Sequence, residues 1–181
     1  MDRKNFLKKA CSAGICFCGF SKISSLANNE TVSVQDNNKQ LHQDWFSDLL
    51  SNLNQDLDEE TLRKIVKKSS LVHFNHQNMS ELLSDYIGDL EKFIQYIEES
   101  WGWKFDYNKK SKLLIADENK DYCACPVLEH KEGLNTSAIC YCSEGFVEKM
   151  FSEVTGTPVT VSVISSVRKG DKRCKYRIEI P

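Results

Sequence analysis

Apolar residues recur at three- and four-residue steps from Leu41 to Trp101. Leu41, Trp45, Phe46, Leu49, Leu50 and Leu53 make one stripe, which predicts an amphipathic helix. Asp58 is placed to cap a second, short helix carrying Leu62, Ile65 and Val66. Ser69 to Asn78 interrupts the pattern. A longer helix is then predicted from about Met79 to Ser100, with Asn78 as cap and Glu81 at the capping-box spacing. Its stripe is Leu82, Leu83, Tyr86, Ile87, Leu90, Ile94, Ile97 and Trp101.

After Gly102 the period changes to two. Trp103, Phe105 and Tyr107 alternate with Lys104 and Asp106, and Leu113 to Ile115 follow a short polar turn, which predicts two strands. Tyr122 to Leu128 reads as a third, with Cys123 and Cys125 on one face. Ser143 is placed to cap a helix carrying Phe146, Val147, Met150, Phe151 and Val154, which Gly156 closes and Pro158 prevents from continuing. Val159, Val161 and Val163 then alternate with polar residues. Arg168 to Asp171 reads as a hairpin turn, and Cys174, Tyr176, Ile178 and Ile180 share one face of a last strand. The predicted class is α+β: N-terminal helices packed on a small antiparallel sheet, with a helix between the cysteine region and a C-terminal β-hairpin.

The first residues read as an address. A basic start, Arg3-Lys4 to Lys8-Lys9, precedes an apolar stretch from Ala10 to Phe20, and Ser25 and Ala27 sit at the small positions of a cleavage site. The run R-K-x-F-L-K is similar to the twin-arginine export signal, with Lys4 in place of the second arginine. Residues 1–27 are therefore expected to be an export signal, 28–40 a flexible leader and 41–181 a single domain, exported to the periplasm or secreted by a bacterial cell. Loss of residues 1–27 removes Arg3, Lys4, Lys8, Lys9 and Lys22 but only one acid, Asp2, so the mature chain is acidic. It is an ill-suited partner for nucleic acid, and no apolar run beyond the signal is long enough for a stable membrane span. With a hydrophobic fraction of 40%, the chain can bury one ordinary core.

Removal of the signal also takes three of the eight cysteines, leaving five. Four of these form two C-x-C pairs, Cys123/Cys125 and Cys140/Cys142, separated by a short polar loop. Four thiolates are the complement of a tetrahedral zinc site or an iron–sulfur cluster, and His130, Cys174 or His76 can substitute for one ligand. Alternatively, Cys142 beside a helix start is placed as a nucleophile, with His130, His73 or His76 as base. A third reading is structural: disulfides between the two pairs, with Cys174 a small buried apolar residue. Trp101 and Trp103, with Tyr122 and Tyr141 beside the thiols, are candidate walls for a ring-shaped small-molecule ligand.

The C-terminal half carries an aromatic-Gly before a strand (Trp101-Gly102), a C-P pair (Cys125-Pro126), a cysteine and a glycine at a helix start (Cys142, Gly145) and a closing G-D-x-x-C-x-aromatic-x-I (Gly170, Asp171, Cys174, Tyr176, Ile178). From Trp101 to Pro181 this resembles the superfamily of the 4-vinyl-reductase domain and the L-2-amino-thiazoline-4-carboxylic acid hydrolase-like proteins. The resemblance implies an α+β domain that binds a small molecule or a metal. It also implies, as the alternative, a hydrolase of a small cyclic C–N substrate using a metal-bound water or a thiolate. A non-catalytic, disulfide-stabilised binding module is the second alternative.

Overall fold

A computed structural model describes residues 27–128 and 135–181, with side chains from residue 37 onward. The expected export signal falls almost wholly outside the described residues, and His130 lies outside them as well. Contacts divide the chain after Gln40, and residues 41–181 form one compact unit. No helix among the described residues is long and apolar enough to cross a membrane.

Among the described residues, five α-helices and four strands follow one another as α1 (Ala27–Asp56), α2 (Glu59–His76), α3 (Met79–Leu83), α4 (Leu90–Trp101), β1 (Lys104–Asn108), β2 (Leu113–Asp117), α5 (Cys140–Thr155), β3 (Thr160–Ser165) and β4 (Lys175–Glu179). The class is α+β, as the change of period predicts. The helical backbone of α1 extends back to Ala27, further than the apolar stripe that begins at Leu41. Asp58 caps α2 as expected: its Oδ1 accepts from the Thr61 N–H at 2.9 Å.

Helix α2 runs through the segment that breaks the sequence periodicity. It continues to His76 because Phe74 is buried in the core and His73 stacks on Phe146 of α5, ring centroids 4.4 Å apart. The long helix expected from Met79 to Ser100 is two helices. After α3 a single 3₁₀ turn, Ser84–Tyr86, leads to Gly88 at φ +82°, and Asp89 caps α4 by accepting from the Lys92 N–H at 3.0 Å. Asn78 makes no side-chain cap. It lies in the left-handed region at φ 50°, so its backbone carbonyl, not its amide group, meets the Glu81 N–H.

The sheet has the order β1-β2-β4-β3 and is antiparallel throughout. Its inner face aligns Leu114 with Ile178 and Ala116 with Tyr176, and Val161 and Val163 continue the rows on β3. The span expected to be a third strand, Tyr122 to Leu128, is irregular backbone. Its carbonyls take side-chain donors in place of a ladder: Leu128 accepts from Arg168, and Val127 accepts from Gln43 at 3.4 Å.

Helix α5 is buried along most of its length and packed against α2, α4 and β3. Two apolar clusters meet along it. One joins the sheet to Phe93 and Ile97 of α4 and to Met150, Phe151 and Val154. The other joins Leu50 of α1 and Leu62 and Val66 of α2 to Leu128, Ile139 and Cys142. At the α2–α5 crossing Glu144 is fully buried, with its carboxylate held by Arg63 Nε and Nη2 at 2.9 Å each and by the Val163 N–H at 3.0 Å.

Candidate functional site

Helix α5 begins at Cys140, three residues before the expected cap at Ser143. A 3₁₀ turn, Ser137–Ile139, leads into it, and Asn135 organises that turn by accepting from the Ser137 N–H at 3.3 Å and its hydroxyl at 2.8 Å. This start places both Cys140 and Cys142 in the first helical turn. Residues two apart on a helix point to nearly opposite sides. The two thiols accordingly serve different spaces.

Cys140 lines a small void of about 20 Å³ together with Cys123, Cys125 and Cys174. Its Sγ lies 2.9 Å from the Ser166 hydroxyl. Arg168 donates from Nε to the Cys123 Sγ at 3.2 Å, from Nη1 to Thr136 at 3.1 Å, and from Nη2 to the Leu128 carbonyl. This one side chain ties the cysteine segment to the turn before α5. All five cysteines among the described residues are free thiols. No group of three or more His, Cys, Asp or Glu side chains among the described residues is arranged to hold a metal ion. Of the four expected ligands, the structure brings Cys123, Cys125 and Cys140 to one void, adds Cys174, and turns Cys142 away.

Burial governs the thiols. It pushes Cys125 and Cys140 above the ordinary thiol value, and Cys142 and Cys174 up to about 11. At Cys142 this outweighs what the N-terminal end of α5 offers a thiolate, so near neutral pH the group is a thiol. It lines an apolar cavity.

That cavity has a volume of about 630 Å³. Phe46, Leu49, Leu50 and Leu53 of α1 form one wall, and Ile65, Val66, Ser69 and Val72 of α2 the second. Pro126, Val127, Ile139 and Cys142 close the third side. His73, His76 and Gln77 supply hydrogen-bonding groups at the C-terminal end of α2. Burial lowers the pKa of His73, and the neighbouring His76 lowers it further, so its ring is neutral near pH 7. The apolar stripes of α1 and α2 are legible in the sequence. That they stand apart around a space, and that the C-x-C segments complete it, is not.

The four aromatic candidates separate. Trp101 and Trp103 line a second cavity of about 290 Å³. Tyr122 is exposed. Tyr141 is buried, donates its hydroxyl to Glu59 Oε1 at 2.6 Å and is pushed up to about 12 by burial and that carboxylate. It is a packing residue between α5 and α2, with the Arg63 guanidinium 5.6 Å from its ring centroid. Arg168, read in the sequence only as part of a turn, is the residue that reasoning missed. A lone arginine in a glycine-containing turn carries no signal of the thiol it will meet.

Among solved structures, the chain is similar to a trafficking protein particle complex subunit 3 from Naegleria fowleri covalently bound to palmitic acid. The identity is 14% and the TM-score 0.46, covering 81% of this chain and 96% of that one. Comparison with curated proteins returned no match. The model of one family, described as a family of unknown function (DUF6144), matches residues 21–181, and the chain belongs to that family.

Proposed function

We propose that the protein is a small-molecule-binding domain whose ligand occupies the apolar cavity between α1, α2 and the start of α5. The observation that carries this reading is the cavity itself. Its volume of about 630 Å³ lies within the range of about 300–1,000 Å³ common for ligand sites, and its composition has their usual form of apolar walls with a few polar groups at one end. The ligand class that fits is a largely apolar molecule with one polar end, directed to His73, His76 and Gln77. The resemblance to the 4-vinyl-reductase and L-2-amino-thiazoline-4-carboxylic acid hydrolase-like superfamily supports a small-molecule role, and the first 27 residues support export. Cys142, a protonated thiol in an apolar wall, contributes surface to this site.

The test is direct titration of the full chain with prodan, a neutral naphthalene fluorophore, followed by emission shift. Saturable binding in the wild type, lost in Ser69→Trp, supports the proposal. Ser69 is exposed on the cavity wall, so an indole there fills the space without disturbing the core. No saturable shift, or equal binding by the variant, contradicts it.

A further inference from the structure

A further group of chemistry-bearing side chains lies beyond the end of β2, and two of them, Glu118 and Tyr176, also line the small thiol void. Glu118 is fixed there by its backbone N–H, which donates to the Cys174 carbonyl at 3.0 Å. Tyr176 of β4 donates its hydroxyl to Glu118 Oε1 at 2.5 Å. Both line the cavity of about 290 Å³ whose walls also include Trp101, Trp103 and Phe146. The rings are ordered: Trp103 stacks on Tyr176 at 5.7 Å and 16°, and Trp101 meets Trp103 edge to face at 5.7 Å. Trp103 and Tyr176 are buried, so the stack is a rigid wall and not a loose surface patch.

Tyr176 occupies one carboxyl oxygen of Glu118. The second accepts no hydrogen bond from the described residues. Lys120 lines the same cavity and forms no ion pair with Glu118 among the described residues. A carboxyl with one spare acceptor, beside flat aromatic walls and close to a cation, selects against a free organic anion. It also offers a strong cation little net attraction. What it suits is a planar ring that stacks on the aromatic wall and presents one N–H to the spare oxygen.

We propose that this cavity is a second binding site, specific for a planar nitrogen heterocycle with a ring N–H, which donates to Glu118 Oε2 while the ring packs against Trp101 and Trp103. The hydroxyl of Tyr176 fixes the carboxyl so that its spare oxygen faces the ring edge. The site adjoins the apolar cavity, with which it shares the wall residues His73, Gln77 and Pro126, and differs in its recognition groups, since neither Glu118 nor Trp101 lines the larger one.

The experiment is calorimetric titration of the full chain with benzimidazole and with 1-methylbenzimidazole, which keeps the ring and lacks the N–H. The expected result is at least about tenfold tighter binding of benzimidazole, the order lost with a hydrogen bond to a carboxyl group. Glu118→Leu, which removes both carboxyl oxygens at similar size, is expected to erase that preference. Trp101→Ala is expected to weaken both compounds, and Ser69→Trp to weaken neither. Equal affinity for the two compounds in the wild type overturns the proposal. So does a preference that survives in Glu118→Leu with circular dichroism and melting temperature unchanged. Should Glu118→Leu fail to fold, the wild-type comparison of the two compounds and the Trp101→Ala variant decide the matter.

Discussion

Helix α2 approaches α5 so closely that position 145 has room only for glycine. A Cβ on Gly145 would stand 2.5 Å from Ser70 Oγ, 2.6 Å from the Lys67 carbonyl oxygen and 3.1 Å from the Lys67 Cα. Two of these three atoms are backbone, so rotamer changes cannot relieve the clash. The methyl is accommodated only if α2 moves away from α5. Overpacking of this kind costs about 1–3 kcal/mol. Replacing glycine by alanine inside a helix returns about 1 kcal/mol through propensity. The net expectation for Gly145→Ala is therefore a loss of up to about 2 kcal/mol, where helix propensity alone predicts a gain. Equilibrium urea unfolding followed by circular dichroism measures it. Adding Ser70→Ala removes one of the three clashing atoms and is expected to recover only part of the loss, because the Lys67 backbone remains in the way. A Gly145→Ala chain more stable than the wild type, as helix propensity alone would make it, would contradict the close approach of α2 and α5. The same displacement has a functional consequence. Val66, Ser69 and His73 of α2 line the large cavity opposite Cys142 of α5, so the variant is also expected to change its affinity for prodan.

Three further outcomes follow from the geometry. Glu144→Ala removes the fully buried acceptor of Arg63 and of the Val163 N–H; with Arg63 partly open to water, a loss of about 2–3 kcal/mol in urea unfolding is expected. Cys142 and Cys174 titrate at about 11 in the folded chain against an ordinary 9.0. The unfolded chain therefore loses these protons first, so their contribution to stability is intact below about pH 9 and falls as pH rises towards about 11; unfolding measured across that window tests it, and Cys142→Ala is expected to flatten the slope. Asp58→Ala removes the cap on the Thr61 N–H and is expected to cost about 1 kcal/mol, read as a lower melting temperature.

The strands were legible because in each one face is more buried than the other. Phe105 and Tyr107 alternate with exposed Lys104 and Asp106, and Tyr176 and Ile178 with exposed Arg177 and Glu179. The cysteine segment defeats the same logic. Cys123 and Cys125 alternate as a strand would, yet β2 is already flanked by β1 and β4, and the segment's carbonyls go to Arg168 and Gln43. The break between α3 and α4 hides for a related reason. Apolar residues continue in register past Gly88, whose N–H donates to the Val154 carbonyl on α5 at 2.7 Å, a contact with no local trace. The site was half legible. The thiols and tryptophans stand out in the sequence as residue types, but their grouping depends on where α5 begins. A start at Cys140 sends Cys142 to the apolar cavity and Cys140 to the other thiols.

The most direct measurement of the central claim is the location of a bound apolar probe. Crystals of the full chain soaked with prodan, or two-dimensional NMR of the labelled protein titrated with it, report which side chains respond. Density or shift changes are expected at Leu50, Val66, Val72 and Cys142, saturating with the same affinity as the fluorescence change and absent in Ser69→Trp. Saturable binding that leaves these four residues unperturbed, or that perturbs only exposed positions such as Ile87 and Ile164, would contradict that claim.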